Sequence, residues 1–155
     1  MASLAVEEKR QLEMGAKEVN SFGGAVRSLE NTGLEKGDKF TFPTKYDKIY
    51  QRMFGENKAS FILVEISPDN VKPFYPTTFT KSRTIYNEDK TSTGKRVHTT
   101  GTAAEIFQKC ATIDEGMQKL AGKTVIVSDV KTIRTLRYNS TELMNAQIPV
   151  IDLVE

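Results

Sequence analysis

The run Ser60-Phe61-Ile62-Leu63-Val64-Glu65-Ile66 constrains this fold more than any other stretch of the chain. It is rich in β-branched and aromatic residues and is bounded by Ser67-Pro68-Asp69-Asn70, a plain turn, so it reads as a strand. Apolar residues fall on both of its faces for most of its length. A strand of that kind belongs in the middle of a sheet, with a neighbour on each side.

The elements around it follow from period and punctuation. Phe40 and Phe42 alternate with Lys39 and Thr41 in a short half-buried strand that Pro43 ends. Tyr46, Ile49, Tyr50 and Met53 then fall on one helical face, which predicts a short helix from Thr44 to Phe54, stopped by Gly55. Residues 71–86 read as extended, and Pro73 and Pro76 make them an edge strand or an irregular ribbon. Asn87 to Thr100 is a long polar loop, of a length that is functional or disordered in a compact domain. Thr102/Glu105 and Thr112/Glu115 have capping-box spacing, so two short helices or one bent helix should end at Gly122. A strand opens at Lys123, but Val125 and Val127 lie on one face while Val130 and Leu136 lie on the other. A β-bulge near Ser128-Asp129 reconciles the halves. Residues 139–147 read as a polar connection, and Ile148 to Val154 as the last strand.

The first 35 residues differ from the rest. Leu12, Ala16 and Val19 fall at helical spacing among charged neighbours, a weakly amphipathic helix that Phe22-Gly23-Gly24 breaks. A second short helical stretch is expected over 25–30. Two units are therefore expected: a helical extension over 1–35 and a β-rich body over 36–155, α+β in class and mainly β. Three strands, a helical insert, then two strands is the element order of an OB-fold barrel. By that order alone, residues 37–154 resemble single-strand-binding OB domains. The resemblance implies a five-stranded OB-like barrel that binds single-stranded nucleic acid; a small sandwich with helical inserts would share the pattern.

Several functions lack their residues. Gly122-Lys123-Thr124 imitates the end of a phosphate loop, but Met117 stands where the first glycine belongs, and the segment follows a helix rather than opening one. His98 is the only histidine and Cys110 the only cysteine. The first reads as a solvated loop residue and the second, beside Ile106 and Ile113, as a packed thiol. No disulfide is possible, which suits a reducing compartment. The pairs Glu7-Glu8, Glu88-Asp89 and Asp114-Glu115 read as solvated or capping groups rather than an acid–base couple. No catalytic set, metal site or cofactor is expected. The N-terminal residues lack a signal-peptide core and no apolar run reaches membrane-spanning length, so the expected location is the cytoplasm, or a virion.

The net charge is only +2, but cations are concentrated. Residues 71–100 hold an excess of four and residues 122–138 an excess of three. Single-strand binders combine a basic groove with aromatic platforms. Lys72, Phe74, Tyr75, Lys81, Arg83, Tyr86, Arg134, Arg137 and Tyr138 are the residues such a surface would use. Aromatic residues on strands are commonly core instead, and alternating cations also mark an ordinary solvated sheet face. The alternative expectation is a structural or accessory subunit of a larger assembly, such as a phage capsid protein, contacting neighbours through the N-terminal arm and the 87–100 loop.

Overall fold

The computed structural model describes residues 4–20, 22, 33–44, 48–54, 57–137 and 140–154. The expected helix over 25–30 and the candidate site residue Tyr138 lie outside them. The chain is α+β and mainly β. In order it runs α1 (Leu4–Glu13), β1 (Lys17–Val19), β2 (Lys39–Thr41), β3 (Ile49–Phe54), β4 (Asn57–Ser67), β5 (Asn70–Phe74), a 3-10 turn (Pro76–Thr80), β6 (Ser82–Tyr86), β7 (Ser92–His98), α2 (Thr102–Gln108), α3 (Ile113–Leu120), β8 (Thr124–Leu136) and β9 (Leu143–Leu153).

Three antiparallel sheets result. Their orders are β1-β3-β4-β5, β2-β8-β9 and β6-β7, and among the described residues none closes into a barrel. β4 is central as expected, paired with β3 on one side and β5 on the other. Its two faces serve two cores. Ile62 and Val64 join Phe40, Phe42, Phe74, Phe79, Val125, Val127 and Ile151, so both larger sheets feed one apolar cluster. Ala59 and Phe61 join Tyr50, Tyr75 and Ala16 on the other face. The Phe40, Phe42 and Phe74 rings meet at centroid distances of 5.3–5.4 Å. A cluster of that size fixes how the two sheets meet, since buried rings prefer edge-on contact.

Residues 49–54 form a strand, not the expected helix. Tyr50 stands opposite Phe61, and the two rings stack. Ile49 enters the first core and Tyr50 the second, an alternation that helical spacing had disguised. A central strand needs a partner on each edge, and that demand outweighs a four-residue helical pattern.

The N-terminal helix also departs from expectation. It covers Leu4–Glu13, and Lys17–Val19 pairs with Gln51–Ile49 as an edge strand. The inward face of α1 carries Glu7 and Gln11, while Leu12 is exposed. Phe22 and Leu34 lie in the first core, so described parts of the 1–35 segment are built into the body.

The polar stretch after Tyr86 is not one long loop. A short turn leads into β7, which pairs with β6 through Ser82↔His98, Arg83↔Val97 and Thr84↔Arg96. β7 is exposed at every residue except half-buried Val97, so it shows no apolar alternation to read. His98 is therefore an exposed strand residue. The extended region before Tyr86 is two strands split by the 3-10 turn. The connection near 139–147 is shorter than expected, because β9 begins at Leu143.

Other local expectations fit the structure. Two separate helices follow Gly101, and Gly122 takes a positive φ of 74° after the second. Thr112 caps α3, accepting from the Glu115 backbone N–H at 3.1 Å. Thr102 does not cap α2. Gly101 holds that position, while the Thr102 N–H donates to Asp152 Oδ1 at 2.8 Å and its hydroxyl accepts from the Leu153 N–H at 2.7 Å. The register of β8 against β9 slips between Val127 and Asp129, at the expected bulge.

Candidate functional site

Nine residues carried the nucleic-acid expectation, and eight can be placed. Phe74 is buried among Phe40, Phe42 and Phe79. Tyr75 is buried against Phe61, and burial raises its phenol pKa. Neither ring has a face open to stack on a base. Tyr86 is half-buried on β6. Lys81 is fully buried beside the 3-10 turn, where its carbonyl accepts from Thr99 N–H at 2.9 Å. Lys72 Nζ donates to Asp38 Oδ2 at 2.7 Å and to the Gly33 carbonyl at 3.0 Å. That side chain clamps the 33–38 segment onto β5.

The arginines do converge, on a seam. Arg83 Nη1 donates to the Leu136 carbonyl at 3.3 Å, and Arg134 Nε donates to the Tyr86 carbonyl at 3.0 Å. β6 and β8 lie side by side in different sheets, and these two bonds cross between them. Arg134 also meets Glu88, and Arg137 meets Glu142, both at 3.4 Å. Much of the expected binding charge is thus spent within the fold.

Other cations of this surface are differently placed. Lys90, Lys95, Arg96 and Lys131 are exposed or on exposed strands, and among the described residues they form no ion pair. Arg96 lies across β6, with Nε donating to Ser82 Oγ at 3.1 Å and Nη1 to Thr84 Oγ1 at 2.8 Å. Asp89 is engaged locally by Thr91, whose hydroxyl and backbone N–H hold its carboxyl below the ordinary range.

A second surface lies in the N-terminal arm, which the alternative expectation names as a contact without singling out its residues. The large apolar side chains exposed among the described residues are Leu4, Val6, Leu12, Met14 and Met53; the first three belong to α1 and Met14 directly follows it. Polar groups of the helix are engaged instead, those of Glu7 within the helix and that of Glu8 with the body. Glu7 is buried and accepts from Arg10 Nη1 and Gln11 Nε2, each at 3.0 Å. Glu8 accepts from the Tyr50 hydroxyl and, at 2.8 Å, from Lys48 Nζ. Lys48 first and Tyr50 second hold the Glu8 carboxyl below its ordinary pKa. Burial, then Glu8, pushes the Tyr50 phenol up. Gln11 Oε1 is buried with no hydrogen-bond partner among the described residues. The sequence signal was present, because Glu7 and Gln11 are four residues apart and share a face, but polar residues are ordinarily assigned outward.

Among the described residues no group of three or more His, Cys, Asp or Glu side chains could hold a metal ion. No described helix is long and apolar enough to cross a membrane. No family model, curated protein or solved structure matches this chain.

Proposed function

We propose that this protein is a non-catalytic subunit of a larger protein assembly, docking through the outward apolar residues of α1. One observation carries the reading: α1 turns Glu7 and Gln11 inward, while its Leu4, Val6 and Leu12 and the Met14 that follows it are exposed. A helix that packs only on its own domain turns its apolar face inward. Large apolar residues left exposed around one short helix and its exit favour a contact surface.

Sedimentation velocity across a concentration series tests this. The expected result is a species heavier than 17.4 kDa that dissociates on dilution, and a monomer for the variant with Leu4, Val6, Leu12 and Met14 all changed to Ser. A discrete monomer at every concentration, with α1 already resistant to protease, overturns it.

A second reading, single-stranded nucleic acid held by electrostatics, is favoured by Lys90, Lys95, Arg96 and Lys131, which form no ion pair among the described residues. Counterion release requires that such binding fall steeply with salt. A flat salt dependence, or no oligonucleotide shift at low salt, rules it out. For the architecture we propose a small sandwich rather than a closed OB-like barrel. The support is that the β1-β3-β4-β5 and β2-β8-β9 sheets share one core through their facing sides.

A further inference from the structure

From Ser92 to His98 the edge of β7 away from β6 pairs with no strand among the described residues; β9 meets it only beyond the strand, at the Thr100–Val150 bridge. Its backbone groups can be assigned. Thr99 N–H donates to the Lys81 carbonyl, so that pair is hydrogen-bonded, and antiparallel ladders alternate bonded with non-bonded pairs. Arg83↔Val97 is then a bonded pair, whereas Ser82↔His98 and Thr84↔Arg96 are not. The N–H and C=O groups of Arg96 and His98 therefore point away from β6, toward the open edge.

Charge selects what can pair there. Lys95 lies in the irregular stretch where the β6–β7 register shifts, after Gly94 at a φ of 75°, and Arg96 is the first residue of the regular pairing beyond it, so two adjacent cations stand on this strand. The Arg96 guanidinium lies over β6, bonded to Ser82 and Thr84, and adds its charge to the potential around the strand. No acidic residue occurs on β7. Pairing β7 with β7 of a second copy would bring like charges together, which is unfavourable. Cations on an edge strand guard against that encounter, and the same cations attract a strand of opposite charge.

We propose that the open edge of β7 takes an extended acidic segment of a partner protein as an added strand. The Arg96 and His98 backbone would supply the ladder, and the charges of Lys95 and Arg96 would favour carboxylates on the added strand. Strand addition of this kind draws affinity from main-chain bonds and specificity from alternate side chains. The proposal does not rest on the role of α1.

The test uses the full chain at low salt and three labelled probes: a peptide alternating Glu and Thr, one of equal charge alternating Glu and Pro, and oligothymidylate. The proline peptide keeps the charge but cannot form a ladder. The Glu-Thr peptide is expected to bind about tenfold tighter than the proline peptide or more, a difference of about 1.4 kcal/mol. Amide exchange at Arg96 and His98 should slow on binding, while that at Val97, already in the β6 ladder, stays unchanged. Lys95→Glu should weaken binding about tenfold; unlike Arg96, that side chain makes no contact with Ser82 or Thr84. Equal binding of both peptides, unchanged exchange at Arg96 and His98, or no peptide binding overturns the proposal. So does tight oligothymidylate binding with those amides unprotected, which would assign the cations to a polyanion.

Discussion

Arg83 and Arg134 reach across the same seam in opposite directions, each guanidinium bonding a backbone carbonyl of the other's strand. Two side chains thereby join β6 to β8 where no backbone ladder does. Arg83→Ala and Arg134→Ala should each cost about 1 kcal/mol, near the net worth of a typical hydrogen bond. The double variant should cost less than the sum, because loss of either bond lets the ribbon loosen. Urea unfolding measures the cost, and faster amide exchange confined to β6 and β7 identifies the seam as its source. Strict additivity with unchanged exchange would mean the seam is held by something else.

Why some elements could be read in advance and others could not is itself physical. β4 was legible because its composition admits one environment. The bulge in β8 was legible because a slip in apolar phase has few causes. β3 was not, since Ile49, Tyr50 and Met53 satisfy a helical period as well as a strand, and only pairing with β4 decides between them. β7 was not, because a strand exposed nearly throughout has no alternation to display. The cations could be counted, but not their engagement. That Arg83 faces the Leu136 carbonyl while Lys95 faces solvent is a matter of which strands come together.

Lys72 was expected to meet a ligand, yet it bonds Asp38, and both side chains are largely buried, at 18% and 10% exposure. Asp38 Oδ2 also accepts from Glu35 N–H at 2.9 Å. Removing one partner of such a pair strands the other. Lys72→Ala should therefore cost about 2 kcal/mol in urea unfolding. It should leave oligonucleotide affinity at low salt unchanged, and weaker binding without a loss of stability would return Lys72 to the ligand surface.

Gly101 sits where the chain turns from the Thr100–Val150 bridge into α2, with φ at +112°. A Cβ there would lie 2.1 Å from the Ile151 carbonyl oxygen. Gly37 has a similar φ of +96° but open space around it. Backbone strain alone costs about 1–2 kcal/mol, which is the expectation for Gly37→Ala. Gly101→Ala adds a clash with backbone and should cost about 3 kcal/mol or more. Equal thermal shifts for the two would show that the Gly101 contact relaxes freely.

Asp152 ties the end of β9 to the start of α2 and to the β8 bulge. The Ser128 hydroxyl first, then the Thr102 N–H, hold its carboxyl below the ordinary carboxylate range. Its contribution is therefore complete above the unfolded value, about 3.9, and is lost as pH falls through the lower folded value. Asp152→Asn should destabilise the protein at pH 7 and do so less at about pH 2, where the native carboxyl is itself being protonated. Urea midpoints at the two pH values decide this; an equal difference at both would mean the charge on Asp152 contributes nothing.

Glu8 makes the link between α1 and β3 that the apolar residues of the helix do not make. With Glu8 changed to Gln, Lys48 and Tyr50 lose a common anionic partner. Tyr50 is raised by burial before it is raised by Glu8, so the substitution should lower its ionisation only part of the way toward the ordinary tyrosine value. An alkaline absorbance titration of Glu8→Gln should show one late-ionising tyrosine moving to lower pH, while buried Tyr75 stays late. If α1 also becomes the first site cut by protease, Glu8 is the anchor that holds the helix in place. A titration curve identical to that of the unaltered protein would mean that burial alone governs Tyr50 and that Glu8 does not perturb it.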